Sequence, residues 1–213
     1  MIFEKFDHIV FAGDSITDMG CSTSSGNNLG DGYVRAVMNM IYAFYPESPV
    51  RITNAGISGN TSRDLLARWD RDILALNPDY VSICIGGNDV WRQFDMPAFP
   101  DIAVMLPEYE SNLREMIRHT RNAVKKIFIL SPYYMEPLTE DPMRAKMDDY
   151  RAVCKKLADE YNCEYVDLQE MFDKYFAFHH SSSIAWDRIH PNGVGAMLIA
   201  REFLKHCNFD YNH

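Results

Sequence analysis

Five short apolar segments, spread over the whole chain, set the strongest limit on what this sequence can fold into. Most of them are apolar enough to be buried on both faces, and they cover residues 9–12, 50–54, 80–85, 126–130 and 164–167. Segments with a helical pattern separate them. Alternation of strand and helix predicts a parallel sheet covered by helices on both faces. In such a sheet, ligands bind beyond the carboxyl ends of the strands.

The helices are predicted between these strands. The clearest lies in residues 109–124, where apolar side chains recur at helical spacing on one stripe. The other predicted helices cover residues 32–44, 62–76, 147–161 and 192–207. The stretch 91–106 is rich in Pro, Phe and Met, and we interpret it as a loop insertion over the strand ends.

Length and charge limit the classes of function. A chain of 213 residues suits one domain, covering residues 1–213. A formal net charge of −9 disfavours nucleic acid and anionic membranes as partners, because both favour basic surfaces. The five cysteines form no CxxC pair, and the first residues show no signal-peptide pattern. We therefore expect reduced thiols and a cytoplasmic protein.

Ser15 follows the first predicted strand, in the run Gly13-Asp14-Ser15. This is a good position for a nucleophile, because the strand fixes the backbone while the following loop exposes the hydroxyl. Serine needs a base to take its proton. His190 is the candidate base, and Asp187, three residues earlier, can accept a hydrogen bond from its other ring nitrogen. Together they form a candidate Ser-His-Asp triad.

Two further loops follow predicted strands and could supply hydrogen-bond donors. A serine hydrolase needs donors directed at the oxyanion of its tetrahedral intermediate. The backbone N–H groups of Gly59 and Ser15 and the side-chain amide of Asn88 are the candidates. Taken alone, Gly59 could be a turn glycine and Asn88 a loop cap. Asp14 and Asp89, which adjoin these positions, are interpreted as carboxylates that hold loops through backbone N–H groups.

These four segments, in this order, resemble the SGNH (GDSL-type) hydrolase superfamily over nearly the whole chain. The four defining residues of the superfamily correspond to Ser15, Gly59, Asn88 and His190. The resemblance implies a serine hydrolase of esters or related acyl groups. It also implies a flavodoxin-like, three-layer α/β/α fold with a five-stranded parallel sheet. We expect neither a cofactor nor a metal.

The sequence around the motifs looks like that of small, single-domain bacterial carbohydrate esterases, including acetylxylan esterases. The resemblance implies removal of acetyl groups from saccharides such as xylo-oligosaccharides, although Cys21 and Gly87 depart from the pattern. Trp91, Phe94 and Trp186 are predicted to bind the substrate, since flat aromatic faces stack on sugar rings. Core or rim packing is the alternative for each. We expect Trp91 to lie further from the triad than Trp186.

Several other functions stay open at this stage. Within the superfamily, the chain could be a thioesterase or a lysophospholipase. From another class, it could be a metal-dependent phosphoesterase with Asp14, Asp187 and His190 among its ligands, although no cluster of histidines is present in the sequence. A catalytically inactive glycan-binding module is a further alternative. Aromatic and Met-rich segments are also compatible with association into a homo-oligomer.

Overall fold

The fold is built on a five-stranded parallel sheet, seen in a computed structural model that describes residues 1–21 and 28–213. The strand order is β2-β1-β3-β4-β5, which is the flavodoxin-like order. The predicted fold class is thereby confirmed. The strands are β1 (His8–Gly13), β2 (Arg51–Gly56), β3 (Tyr80–Cys84), β4 (Lys126–Leu130) and β5 (Glu164–Val166).

The register of the sheet brings three strand ends together. Gly13, the last residue of β1, is paired with Gly56 of β2 on one side and with Cys84 of β3 on the other. The chain changes direction across the sheet between β1 and β3, and doubly wound sheets bind their ligands at such a switch point. The segments that follow β1, β2 and β3 therefore meet at one edge.

Helices cover both faces of the sheet. They are α1 (Ser15–Asp18), α2 (Tyr33–Phe44), α3 (Ser62–Ala67), α4 (Trp69–Asp72), α5 (Gly87–Asp95), α6 (Leu106–Thr120), α7 (Pro142–Tyr161), α8 (Leu168–Phe176) and α9 (Gly193–Lys205). In one group, α9 packs against both α2 and α8. In the other, α6 packs against α3 and α7, and α7 also packs against α5.

The helix predicted over residues 62–76 is interrupted. It divides into α3, α4 and a short 3₁₀ segment, Leu74–Leu76. The first break is at Arg68, whose backbone leaves helical geometry with φ −111° and ψ 6°. Its side chain bonds to the carbonyl of Gly13 instead of lying in solvent. Trp69, which follows the break, is buried and donates from its indole to the hydroxyl of Thr120 at 2.9 Å.

Among the described residues, three α-helices are absent from the sequence-based prediction, namely α1, α5 and α8. Residues 91–95 belong to α5 and Leu106 begins α6, so the predicted loop over 91–106 is wrong at both ends. Helix α8 was not predicted, although Asp167 accepts the backbone N–H of Glu170 there as an N-terminal cap. An Asp followed three residues later by Glu is a helix-start signal, which could have revealed α8. Helix α7 also starts earlier than predicted, at Pro142.

The hydrophobic core lies between the sheet and its helices. The ring of Phe203 in α9 packs on Phe11 in β1 and on Phe128 in β4, with centroids 5.1 and 4.9 Å apart. These contacts fix α9 against the centre of the sheet. None of the helices in residues 1–21 and 28–213 is long and apolar enough to cross a bilayer.

Candidate active site

Ser15 begins α1 directly after the first strand. Asp14 caps this helix, because its carboxylate accepts the backbone N–H of Ile16 at 3.0 Å. The turn is tightly packed at Gly13, where a Cβ atom would lie 2.3 Å from the hydroxyl oxygen of Thr17. The strand and the cap hold the backbone of Ser15, while its side chain stays partly accessible.

His190 joins Ser15 to Asp187. Its Nε2 lies 2.8 Å from Oγ of Ser15, and its Nδ1 lies 2.6 Å from Oδ2 of Asp187. The other carboxylate oxygen of Asp187 accepts the backbone N–H groups of Ile189 and His190. Burial alone would raise the pKa of Asp187, but its hydrogen bonds to His190 and Ile189 hold that pKa below the ordinary value. The structure thus brings the three predicted triad residues into one hydrogen-bonded chain.

The loop that carries His190 is held by the segment after β4. The Tyr133 hydroxyl donates to the carbonyl of Ile189 at 3.1 Å, and the N–H of Met135 donates to the carbonyl of Arg188 at 2.9 Å. Arg188 has a left-handed φ of 64°, and its guanidinium pairs with Glu136 at 2.9 Å. Sequence reasoning missed this support, because nothing local to Tyr133 indicates contact with a loop more than fifty residues later.

Gly59 lies in a tight turn after β2. The N–H of Asn60 donates to the carbonyl of Ile57 at 3.2 Å, and Gly59 has a φ of 85°. A left-handed backbone conformation at the third position of a turn favours glycine. Apart from its two chain neighbours, no described residue has an atom within 4 Å of where a Cβ would stand on Gly59. Gly59 is therefore a turn glycine, and the described residues leave space beside its backbone.

Asn88 is buried near the start of α5. Its side-chain Nδ2 donates to the carbonyl of Asn60 at 2.9 Å, which uses one of its two amide hydrogens. The neighbouring Asp89 accepts both the backbone N–H and the hydroxyl of Ser62. Burial raises the pKa of Asp89 to about 7. Asn88 and Asp89 thus bind the segment that follows Gly59, and Asp89 holds a loop as predicted.

The comparisons with known proteins agree with this arrangement. The model of the GDSL-like lipase/acylhydrolase family matches residues 11–198. The chain belongs to this family. An acetylxylan esterase of Geobacillus stearothermophilus is 44% identical to it over 209 residues, which are 96% of this chain and 95% of that protein. The predicted superfamily is confirmed, and the protein is a carboxylic ester hydrolase.

Solved structures of relatives share the fold of this GDSL hydrolase. The crystal structure of Axe2, an acetylxylan esterase from Geobacillus stearothermophilus, superposes with a TM-score of 0.95 at 44% identity, covering 99% of this chain and 98% of that one. LAE5, an alpha/beta hydrolase enzyme from the metagenome of Lake Arreo, Spain, gives a TM-score of 0.94 at 44% identity, with 97% of each chain covered.

A small cavity adjoins the triad of the GDSL hydrolase. It measures about 20 Å³ and is lined by Ser15, Asn88 and apolar side chains that include Ile85, Pro132 and Ile189. A cavity needs roughly 10–15 Å³ to hold one water molecule, so this one has room for a very small group. The apolar wall favours a methyl group over a polar one.

The three aromatic residues predicted to bind substrate lie in different environments. The half-buried Trp91 places its ring centroid 5.9 Å from that of the His190 imidazole. Phe94 is 40% exposed and Trp186 is 87% exposed. Trp91 was expected to lie further from the triad than Trp186, yet its ring packs against the imidazole of His190, whereas the Trp186 side chain is exposed to solvent. Helix α5 causes this, since it returns Trp91 to the strand ends.

The residues considered as metal ligands have other hydrogen-bond partners in the GDSL hydrolase. Asp14 caps α1, and both oxygens of Asp187 accept hydrogen bonds within the His190 loop. Within the described part of the chain, no three His, Cys, Asp or Glu side chains group together so as to hold a metal ion. The metal-dependent phosphoesterase hypothesis thus lacks a ligand set among these residues.

Proposed function

We propose that this GDSL hydrolase removes acetyl groups from the hydroxyls of saccharides such as xylo-oligosaccharides, with Ser15 as nucleophile, His190 as base and Asp187 as its partner. The observation that carries the proposal is the continuous chain of hydrogen bonds from Asp187 through His190 to Ser15, at 2.6 and 2.8 Å. This is the arrangement that lets a neutral imidazole take the serine proton while the carboxylate fixes its tautomer.

The proposed reaction has two halves. Nε2 of His190 takes the proton of Ser15 as Oγ attacks the acetyl carbonyl carbon, and the N–H groups of Ser15, Gly59 and Asn88 stabilise the resulting oxyanion. His190 then gives the proton to the departing sugar oxygen, which leaves an acetyl-enzyme. In the second half, His190 activates a water that attacks the acetyl group, and acetate departs from Ser15.

Two features support an acetyl group and a saccharide. The cavity of about 20 Å³ beside Ser15 suits a methyl group and is too small to enclose a long acyl chain. Trp91 packs beside His190, the residue that would give the leaving alcohol its proton, and the exposed faces of Phe94 and Trp186 could stack on further rings. A relative 44% identical to this chain is an acetylxylan esterase, which further supports the proposal.

A panel of esters tests the substrate. We expect kcat/KM to fall from acetyl to butyryl to octanoyl esters of one alcohol, and to be higher for an acetylated xyloside than for a simple aryl acetate. An octanoyl optimum with no gain from the sugar would overturn the proposal and favour a lysophospholipase or thioesterase.

Labelling tests the nucleophile. An organophosphonate should modify Ser15 stoichiometrically, and the Ser15→Ala variant should be neither labelled nor active. Labelling of Ser15→Ala would show that the nucleophile lies elsewhere. EDTA should leave the activity of the parent protein intact, whereas a complete loss that a divalent metal restores would support the phosphoesterase hypothesis.

We propose that the protein is cytoplasmic. Its proposed partner is a small-molecule ester, and it is expected to bind neither nucleic acid nor membranes. The absence of disulfides among the described residues, which include all five cysteines, supports a reducing compartment. Four exposed apolar side chains in the segment between α5 and α6 support a homo-oligomer: Met96, Phe99, Ile102 and Met105. Sedimentation at several protein concentrations would test this.

A further inference from the structure

One residue of the turn after β2 joins two segments of the proposed oxyanion hole and connects to the third through Arg68. Asn60 directly follows Gly59, and its backbone carbonyl accepts from the side chain of Asn88 at 2.9 Å. Its side-chain oxygen accepts from Nε of Arg68 at 2.8 Å. Asn60 thus links the Gly59 turn to α5 through its backbone and to Arg68 through its side chain.

Arg68 extends this link to the segment of the nucleophile. Its Nη2 donates at 3.1 Å to the carbonyl of Gly13, two residues before Ser15. The same carbonyl accepts the backbone N–H of Ile57, which opens the turn that carries Gly59, at 3.1 Å. A single guanidinium therefore bonds to the end of β1 and to the turn after β2, and its planar set of donors keeps these two acceptors at a fixed separation.

The burial of Arg68 needs an explanation. The side chain is only 7% exposed, and burial lowers its pKa. Among the described residues, Asp72 is its one acidic partner within 4 Å, at 3.5 Å, and this carboxylate is bound more closely by Arg71, at 2.6 Å. A buried charge is costly unless it is well bonded. The ion pair with Asp72 is too long to account for the burial, whereas the acceptors on Gly13 and Asn60 are well placed.

We infer that Arg68, acting through Asn60 and Gly13, is a positioning residue for the oxyanion hole. This inference rests on the proposed function, in which Ser15, Gly59 and Asn88 supply the donors. Donors stabilise an oxyanion only when they already stand at hydrogen-bond distance from the position where the charge develops. If the link from Arg68 is removed, the Gly59 turn and α5 can move relative to Ser15. The loss should then affect the transition state more than substrate binding.

Three variants test this inference. Arg68→Met and Asn60→Ala each remove the bond between the two side chains, and both keep the backbone carbonyl that Asn88 uses. We expect each to lower kcat about tenfold, less than the ~10²-fold typical of losing an oxyanion donor itself, with KM within about twofold. Arg71→Ala is the matched control, because Arg71 also pairs with Asp72 but is 77% exposed. It should leave kcat unchanged.

A double variant and a transition-state analogue separate positioning from general stability. The combination of Arg68→Met with Asn60→Ala should cost little more than either change alone, since both break one link. Binding of a boronic acid that forms a tetrahedral adduct on Ser15 should weaken in parallel with kcat. The inference would be overturned if the loss of kcat in the double variant equalled the product of the two single losses. It would also be overturned if the variants had a lower melting temperature but full kcat. If Arg68→Met fails to fold, Asn60→Ala alone decides, because Asn60 is only half-buried.

The variant Asn88→Ala distinguishes failure of this inference from failure of the proposed function. Full activity of Asn88→Ala would contradict the oxyanion hole itself. A severe loss in Asn88→Ala together with full kcat in both Arg68→Met and Asn60→Ala would contradict only the positioning role of Arg68.

Discussion

The indole of Trp91 packs beside the imidazole of His190, with ring centroids 5.9 Å apart and an angle of 58° between the planes. Arg92 lies over the same indole, 5.4 Å from its centroid. Trp186, which adjoins Asp187 in the sequence, is 87% exposed. The tryptophan that packs against the triad is therefore Trp91, which is far from His190 in the sequence. Substitution of Trp91 and of Trp186 should have different effects on kcat/KM.

Trp91→Ala should lower kcat/KM for an acetylated xyloside and for an aryl acetate alike, by about tenfold, because small displacements of catalytic groups are costly. Trp186→Ala should affect only the sugar ester, by about fivefold, since a stacked ring contributes roughly 1 kcal/mol. Steady-state kinetics on both esters make the comparison. A sugar-selective loss in Trp91→Ala with no loss for the aryl ester would show that Trp91 does not support His190.

Asn88→Ala should reduce kcat by roughly 10²-fold or more, because it removes a donor used mainly in the transition state. It should also lower the melting temperature, since the bond from Asn88 to the carbonyl of Asn60 is lost. Kinetics and thermal unfolding on the same preparation separate the two effects. A lower melting temperature with unchanged kcat would show that Asn88 only caps a loop and does not stabilise the oxyanion.

Tyr133→Phe should lower kcat several-fold with little change in melting temperature. The hydroxyl of Tyr133 holds the His190 loop at the carbonyl of Ile189, while its ring packs 4.7 Å from that of Phe172. Phenylalanine keeps the ring and loses about 1 kcal/mol of hydrogen bonding. Tyr80→Phe is the control, because it removes a comparable bond, from a buried tyrosine to the carbonyl of Ile2 at 3.1 Å, at the opposite end of the sheet. Equal activity of Tyr133→Phe and the parent protein would contradict a role in holding the loop.

Asp89 should make the protein less stable as the pH rises from about 4 to about 7. Burial raises its pKa in the folded state to about 7, against 3.8 for the ordinary carboxyl. Between these values the unfolded chain has released the proton that the folded protein still holds. The free energy of unfolding then falls with pH, by at most about 1.4 kcal/mol per pH unit.

Asp89→Asn removes this titration, so its unfolding free energy should depend less steeply on pH over the same range. Urea unfolding at pH 5, 6 and 7 measures both slopes, and comparing slopes cancels any constant effect of the amide. Burial also raises the pKa of Asp14, to about 6, and this contribution is common to both proteins. Parallel slopes would contradict a raised pKa of Asp89 in the folded protein.

The sequence by itself determined the sheet and located the candidate triad. Buried parallel strands are continuous apolar runs, so β1, β3 and β4 could be located without knowledge of their neighbours. Parallel strands end at a common edge, which placed Ser15 and Asn88 together before any contact was known. The boundaries of these strands in the structure differ from those predicted by one residue at most.

Only the tertiary structure decided how the site is supported. Four features of the site depend on contacts between segments that are distant in sequence. They are the helix break at Arg68, the bonds that meet at Asn60, the bond from Tyr133 to the His190 loop and the packing of Trp91 on His190. Helical periodicity continues through Arg68, and nothing local shows that its side chain turns inward. A residue's own sequence neighbours fix its local backbone preference, but its partners are fixed by which distant segments the folded sheet and its helices bring beside it.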